Sequence, residues 1–133
     1  MAASEPVPNE HGTLSAISNE MVRIYKEQFG RGPTKTRTQW AGPDIIVVTL
    51  EQTFTPAERK LCDMGEHARL RELRMLFQYA ETKVFCDPVE RLTGRTVRAF
   101  VSGIDTYADL ASEMFVLYPL GQDGISRSAI DGA

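Results

Sequence analysis

The spacing of apolar side chains predicts a first helix over about residues 13–29. Its apolar stripe recurs every three or four residues and ends at a polar position: Leu14, Ile17, Met21, Ile24 and Gln28. Thr13 is suited to cap the start of this helix. Gly30 is suited to end it, because glycine adopts a positive φ without a Cβ clash. Residues 1–12 include Glu5, Pro6, Pro8, Asn9, Glu10 and Gly12 and have almost no large apolar side chain, so we expect a disordered N-terminal tail.

Two strands are predicted next, at about residues 35–40 and 44–50, with Ala41-Gly42-Pro43 as the turn between them. The first strand carries Lys35, Arg37 and Gln39 on one face, which is typical of an edge strand. The second is apolar on both faces, so we expect both of its faces to be covered.

Helical patterns fill the middle of the chain. Thr55-Pro56-Ala57-Glu58 has the form of a capping box, and it predicts a short helix that ends near Met64-Gly65. A longer helix should begin near Glu66, with an apolar stripe of Leu70, Leu73, Phe77, Ala80 and Val84. Pro88 predicts a kink or a restart within Asp87–Glu90, since proline removes a helix hydrogen bond. Gly94 should end the helical region.

A second pair of strands, at about residues 96–104 and 113–118, completes the pattern through a turn at 105–109. The element order α-β-β-α-β-β predicts an α+β fold, with a four-stranded, mainly antiparallel sheet and helices on one face. We expect a single domain over residues 13–119 and a flexible C-terminal tail over residues 120–133.

The two-faced strands also predict a partner for the sheet. Helices on one face leave the second apolar face open, and a large open apolar face is unusual on a soluble monomer. A homodimer through that second face is the favoured explanation. The alternative is that the C-terminal tail folds over it.

Composition narrows the class of protein. The chain has 133 residues, of which 42% are hydrophobic, and its net charge is −3. No apolar run approaches the roughly 20 residues that span a bilayer, and the N-terminus does not resemble a secretory signal. We therefore expect a cytoplasmic protein with reduced Cys62 and Cys86.

No residue pattern indicates catalysis, a metal or a cofactor. Cys62, Asp63, Glu66 and His67 lie close in sequence, but they lack the paired spacing of zinc ligands. A cysteine nucleophile would need a nearby base and an orienting group, and the second histidine, His11, falls in the predicted tail. We expect no catalytic residue, no metal site and no cofactor, and hence a protein that is not an enzyme.

The segment Gly30-Arg31-Gly32-Pro33 and the strand after it form the best candidate binding site. Gly30, Gly32 and Pro33 are explained by backbone geometry, whereas Arg31, Lys35 and Arg37 could hold an anion or a protein partner. The segment lacks the Lys and Ser/Thr of a P-loop and precedes a strand. A structural turn with solvated charges is the alternative.

Nucleic-acid binding ranks lower. Basic residues occur on the long helix and around the third strand, with two aromatic side chains that could stack on bases: Arg69, Arg71, Arg74, Arg91, Arg95, Arg98, Trp40 and Phe100. The acidic net charge and the interleaved Glu66 and Glu72 argue against it.

Three segments together resemble the MpsC family of small bacterial proteins. They are Gly30-Arg31-Gly32-Pro33, Thr55-Pro56-Ala57-Glu58 and Leu92-Thr93-Gly94-Arg95-Thr96-Val97, and the resemblance covers about residues 14–118. Pro88 departs from the pattern, because the long helix of the family usually continues there.

The resemblance implies a cytoplasmic accessory or regulatory protein, peripheral to the inner face of a membrane. Its partner would be a membrane complex for inorganic-carbon or cation transport. The resemblance implies no established catalytic residue. A module that binds a small anion or a nucleotide is the alternative function.

Overall fold

Four helices and four strands make up residues 10–130, the part of the chain that this computed structural model describes. The helices are α1 (Glu10–Phe29), α2 (Pro56–Asp63), α3 (His67–Ala80) and α4 (Thr82–Thr93). The strands are β1 (Lys35–Trp40), β2 (Ile45–Glu51), β3 (Val97–Asp105) and β4 (Leu110–Leu117). A short 3-10 helix, Arg127–Ala129, follows β4. The order α-β-β-α-α-α-β-β confirms the predicted α+β class.

All strand pairings in this sheet are antiparallel, and the strands lie in the order β1-β2-β4-β3. The central strands β2 and β4 alternate strictly between buried and half-buried positions, because successive side chains of a strand point to opposite faces. The register aligns Thr38 with Val48 and Val48 with Glu113, so side chains of one face form rows across the sheet. The predicted antiparallel sheet is therefore confirmed.

The hydrophobic core lies between one face of this sheet and the helices. Fully buried side chains from α1 and α4 pack on fully buried side chains from β2 and β4: Ile17, Met21, Phe85, Val89, Ile46, Val48, Leu50 and Phe115. Each such side chain contributes about 1.5–3 kcal/mol when it leaves water. Because these helices cover the same face, the prediction of helices on one face is confirmed.

The first helix starts earlier than predicted. It begins at Glu10, so Thr13 lies inside the helix and does not cap it. Residues 10–12, which we expected in the tail, are helical. The one unfavourable residue among them is Gly12, and a glycine in a helix costs only about 1 kcal/mol. The rest of the predicted N-terminal tail, residues 1–9, lies outside the described residues.

The break in the long helical region also differs from the prediction. The helix is interrupted at Glu81, and Pro88 lies inside α4. The Thr82 hydroxyl donates a hydrogen bond to the Tyr79 carbonyl at 2.7 Å, which competes with the regular helix bonds at this point. Pro88 costs α4 the bond that its own N–H would have made to the preceding turn. The restart that we expected at Asp87–Glu90 therefore occurs one to two turns earlier.

The described part of the C-terminal segment packs beside the helices. Its 3-10 helix lies against α4 and β3. The hydroxyls of Ser126 and Ser128 donate to the Glu90 carboxylate at 2.7 and 3.2 Å. These contacts tie the segment to α4, on the helix-bearing side, and leave the second face of the central strands open.

Candidate functional site

The segment Gly30–Pro33 is a close-packed connection between α1 and β1. Gly30 has a φ of +77°, and its N–H donates to the Lys26 carbonyl at 2.9 Å, which closes the last turn of α1. A Cβ atom at Gly32 would lie 3.4 Å from Cγ1 of Val22. Glycine at position 32 thus lets the loop run along the surface of α1.

The three basic residues of the predicted binding site lie on two different elements. Lys35 and Arg37 project from the outer face of β1, and the Lys35 ammonium lies 3.7 Å from the Glu51 carboxylate. Arg31 is half-buried in the loop, and it forms no hydrogen bond or ion pair with other residues of the 10–130 region. The structure places Lys35 and Arg37 on one surface and shows no contact that joins Arg31 to them. Their binding role stays a prediction.

The second face of the sheet, which we call the outer face, has an apolar half and a polar half. The apolar half consists of Ile45, Val47, Ala99, Val101, Met114 and Val116. The other half is mainly polar, with Lys35, Arg37, Thr49, Glu51 and Ser112 beside Leu110, and Gln39 of β1 borders the apolar half at Val47. The register sets Val47 beside Met114 and Met114 beside Val101, which is 47% exposed. The core helices lie on the opposite face, so this apolar half faces outward.

Helix α3 reverses the usual amphipathic pattern. The residues that it buries are Leu70, Arg74 and Gln78. Its exposed large apolar residues are Leu73 (42%), Leu76 (65%) and Phe77 (45%), and Val84 of α4 is also exposed (40%). Of the apolar stripe that we predicted for this region, only Leu70 enters the core. Exposed apolar patches of this kind mark contact sites on proteins.

Arg74 is fully buried because a carboxylate and an aromatic ring surround its guanidinium group. Its Nε and Nη2 donate to the Glu58 carboxylate at 2.6 and 2.7 Å, and Nη2 also donates to the Thr53 carbonyl at 3.0 Å. The guanidinium carbon lies 3.7 Å from the centre of the Phe29 ring. Burial acts to raise the pKa of Glu58, but hydrogen bonds from Arg74 and Thr55 outweigh it and lower that pKa. Glu58 therefore stays ionised opposite Arg74.

The carboxyl group of Glu113 on β4 is fully buried and lies within a cluster of hydrogen bonds. The Tyr25 hydroxyl and the Gln78 amide each donate to it at 3.1 Å, and the Ser102 hydroxyl also donates to it. Burial raises the pKa of Glu113 to about 8 against the lowering effect of these bonds. The group is accordingly neutral at pH 7, and it fixes α1 and α3 to the sheet.

We did not predict that Arg74, Gln78 and Glu113 lie in the core. A signal was present for Glu113, which shares the alternating inward positions of β4 with Ala111, Phe115 and Leu117. For α3, the four-residue spacing of Leu70, Arg74 and Gln78 marks the buried face. The prediction placed Arg74 and Glu113 by their charge, which favours the surface, and not by their positions in the helix and strand patterns.

A cleft of about 500 Å³ opens between α2 and the turn that joins β3 to β4. Its lining includes Gln52 and Asp109, two non-glycine residues with φ of 60° and 50°. The Asp109 carboxylate accepts hydrogen bonds from the backbone N–H groups of Thr53 and Phe54, at 2.9 and 3.2 Å. These bonds explain how the turn holds its left-handed conformation.

Cys62 and Asp63 line this cleft, and His67 packs against its lining residue Tyr107. The His67 ring stacks on Tyr107 at 3.8 Å between centres, and its Nδ1 is 2.8 Å from the Thr106 hydroxyl. Within residues 10–130, no group of three or more His, Cys, Asp or Glu side chains converges on a metal position. Burial raises the pKa of the Cys62 thiol and raises that of Cys86 to about 12, so both are poor nucleophiles at neutral pH.

Several residues of the nucleic-acid hypothesis are engaged in the fold. Arg74 is buried against Glu58, and Phe100 is buried in the core, so neither can reach a nucleic acid. Arg95 donates to the Asp44 carboxylate at 2.6 Å and to two backbone carbonyls. The predicted basic surface is therefore smaller than the sequence suggested.

These features define a small α+β protein that uses charged residues in its core and presents two apolar surfaces. A comparison with protein families matches residues 10–118 to MpsC, described as a Na+-translocating membrane potential-generating system. Because this match covers most of the 133 residues, the chain belongs to the MpsC family, as its motifs predicted. Comparisons with curated proteins and with solved structures found no match. Among the described residues, no helix combines the length and the apolar character that crossing a membrane requires.

Proposed function

We propose that this protein is a non-enzymatic accessory or regulatory component of a Na+-dependent system that generates a membrane potential. Membership in the MpsC family supports the link to such a system. The proposed accessory role is supported mainly by the reversed pattern of α3, which buries two polar side chains and exposes three large apolar ones. Arg74 and Gln78 are enclosed in the core, where no substrate reaches them, whereas Leu73, Leu76 and Phe77 lie on the surface. This arrangement suits a protein that works by contact.

The outer face of the sheet supports a homodimer as the assembled form. Its apolar half crosses β2, β4 and β3, and two copies related by a two-fold axis would cover each other's apolar halves. Lys35 and Arg37 border this face at the edge strand β1. In the proposed assembly they remain available, with Arg31, for a membrane complex for inorganic-carbon or cation transport, on its cytoplasmic side.

Complementation of a deletion strain tests the proposed function. Deleting the gene should lower the membrane potential that cells maintain in Na+ medium and should change it little in K+ medium. The wild-type protein should restore it, and the variant Arg31→Ala/Lys35→Ala/Arg37→Ala should not. Arg69→Ala/Arg71→Ala, which removes exposed arginines from α3, is the matched control. An unchanged Na+-dependent potential in the deletion strain would show that the proposed function is wrong.

Light scattering on the purified protein tests the dimer separately. The expected mass is twice the 14.8 kDa of one chain. Val47→Lys places a charge beside Met114 in the apolar half and should give a monomer. Val84→Lys makes the same kind of change on the helix-bearing side and should leave the dimer intact. A wild-type monomer at micromolar concentration would exclude this assembly.

A second candidate function is the binding of a small anion or a nucleotide, and the cleft beside α2 favours it. Its volume falls within the range of roughly 300–1,000 Å³ that small-molecule sites occupy. Arg59 offers a cationic group there, and the Tyr107 ring, held by His67, offers a stacking surface. A thermal-shift screen of anions and nucleotides tests it. Stabilisation that grows with ligand concentration and disappears in Arg59→Ala supports this candidate.

A further inference from the structure

The exposed apolar residues of α3 and α4 adjoin a groove, which makes one continuous surface. We call Leu73, Leu76, Phe77 and Val84 the α3–α4 stripe. The groove has a volume of about 230 Å³, and its lining is Ile24, Glu27, Gln28, Glu81 and Val84. Val84 belongs to both, and the Gln28 amide donates to the Phe77 carbonyl at 3.2 Å. Stripe and groove therefore form a single surface on the helix-bearing side, away from the outer face of the sheet.

The polar groups of this groove are hydrogen-bond acceptors. The Gln28 amide N–H donates to the Phe77 carbonyl, and the buried Oε1 of Gln28 has no hydrogen-bond partner among the described residues. Within residues 10–130 the carboxylate of Glu27 pairs with Arg23 and with no other cation, and 63% of the side chain is exposed. Glu81 makes no ion pair within residues 10–130 and lies at the break between α3 and α4. A ligand that satisfies this surface must bring N–H donors or positive charge together with apolar side chains.

We infer that the α3–α4 stripe and its groove bind a basic amphipathic helix of a protein partner. Its leucine- or phenylalanine-like side chains would cover Leu73, Leu76 and Phe77, in the helix-in-groove mode of recognition. Its Lys or Arg side chains would reach the carboxylates of Glu27 and Glu81. The inference rests on the proposed function for the source of the helix, since segments on the cytoplasmic side of membrane proteins are rich in Lys and Arg.

The carboxylates at the edge of the groove, Glu27 and Glu81, form an acidic rim. This rim favours a basic helix over two other occupants, an anionic lipid surface and a second copy of the chain. An anionic lipid surface would be repelled by Glu81, which has no ion-pair partner within residues 10–130, and the whole chain carries a net charge of −3. A second copy of the chain would bring the same acceptors of the groove against themselves in a symmetric contact. A donor-rich helix is complementary both to the stripe and to the rim.

Binding of two synthetic peptides to the purified full-length protein tests the inference. Both peptides have about 18 residues, or roughly 27 Å as a helix, and both carry the same leucine face. One has Lys and the other Glu on its polar face. Fluorescence anisotropy should show binding of the Leu/Lys peptide, with an affinity at least about tenfold above that of the Leu/Glu peptide.

Variants identify the surface that the peptide uses. Leu76→Ser/Phe77→Ser should weaken Leu/Lys binding by about tenfold or more. Glu27→Gln/Glu81→Gln should reduce both the affinity and its dependence on salt. Val101→Ser removes an exposed apolar group from the outer face and should bind like wild type. Circular dichroism establishes that each variant is folded.

The inference is overturned if neither peptide binds at about 100 µM, if both bind equally, or if Val101→Ser weakens binding as much as Leu76→Ser/Phe77→Ser. It is also overturned if Leu76→Ser/Phe77→Ser lowers the mass in light scattering, which would indicate a second copy. Stronger binding to phosphatidylglycerol vesicles than to the Leu/Lys peptide would indicate lipid. Specific peptide binding with an unchanged potential in the deletion strain would support the docking site and contradict only the proposed function.

Discussion

At the scale of single residues, the buried side chains of Arg74 and Glu113 and the half-buried carboxylate of Glu58 determine how α3 lies on the sheet. Arg74 is matched by Glu58, and Gln78 donates to the carboxyl group of Glu113. A helix turned the other way would leave these polar groups without their buried partners, and an unsatisfied buried polar group costs about 1–3 kcal/mol. The hydrogen bonds thus hold an orientation that the apolar residues of α3 alone would not favour.

Replacing Arg74 by methionine should destabilise the protein by about 3 kcal/mol or more, because it leaves the Glu58 carboxylate without its partner. The double variant Arg74→Met/Glu58→Gln should recover part of this loss, since no unpaired charge remains. Urea denaturation measures both changes. Arg23→Met breaks exposed ion pairs to Glu20 and Glu27 and should cost about 1 kcal/mol or less. If Arg74→Met lowers the free energy of unfolding no more than Arg23→Met does, the Arg74–Glu58 pair contributes little to stability.

Glu113 should make the folded protein less stable as the pH rises. Its pKa is about 8 in the folded state, against an ordinary value of 4.5. Between these values the folded state holds the proton and the unfolded state does not. The free energy of unfolding should therefore fall from about pH 4.5 to about pH 8, by up to about 1.4 kcal/mol per pH unit.

Denaturation of Glu113→Gln across the same range isolates this effect, because the glutamine side chain does not titrate. The variant should lose most of the slope, whereas Glu51→Gln, which alters a half-buried carboxylate paired with Lys35, should keep it. Equal slopes for wild type and Glu113→Gln would mean that Glu113 is ionised in the fold.

At the scale of elements, most starts and stops were predictable because they depend on local chemistry. The capping box of Thr55 and Glu58 is present, with both reciprocal hydrogen bonds. Gly94 ends α4 in the left-handed conformation, with a φ of 69°. The orientation of α3 was not predictable in this way, since it depends on partners distant in sequence: Glu58 on α2 and Glu113 on β4. The exposed position of Leu73, Leu76 and Phe77 depends on the same orientation and was also missed.

Two identical truncations on α3 should separate its buried face from its exposed one. Leu70→Ala removes a fully buried side chain and should cost about 2–5 kcal/mol. Leu76→Ala removes a mostly exposed side chain and should change the free energy of unfolding by about 0.5 kcal/mol or less. Both substitutions introduce the same helix-favouring residue, so the comparison reports burial alone. Similar costs at both positions would contradict the orientation of α3.

At the scale of the whole molecule, one apolar surface lies on the outer face of the sheet and the other on the helix-bearing side. The apolar half of the outer face is flat and built from three strands, whereas the α3–α4 stripe is narrow and bordered by acceptors. We expect the first to join two copies of the chain and the second to bind a different protein. A dimer of this kind would carry its two partner sites on the outside, one on each copy.

If the outer face joins two copies, the thermal midpoint should rise with protein concentration. Mass action favours the folded dimer over two unfolded chains as the total concentration increases. Differential scanning calorimetry over about a hundredfold range of concentration measures this dependence. Val47→Lys should lower the midpoint and abolish its dependence on concentration, because the charge lies beside Met114 in the apolar half. Leu76→Ser/Phe77→Ser should keep the full dependence, since the stripe lies outside the proposed contact. If the thermal midpoint of the wild-type protein does not change with concentration, the outer face does not join two copies and is expected to bind another partner. If Leu76→Ser/Phe77→Ser abolishes the concentration dependence of the midpoint, the α3–α4 stripe joins the two copies and the outer face is free for a different protein.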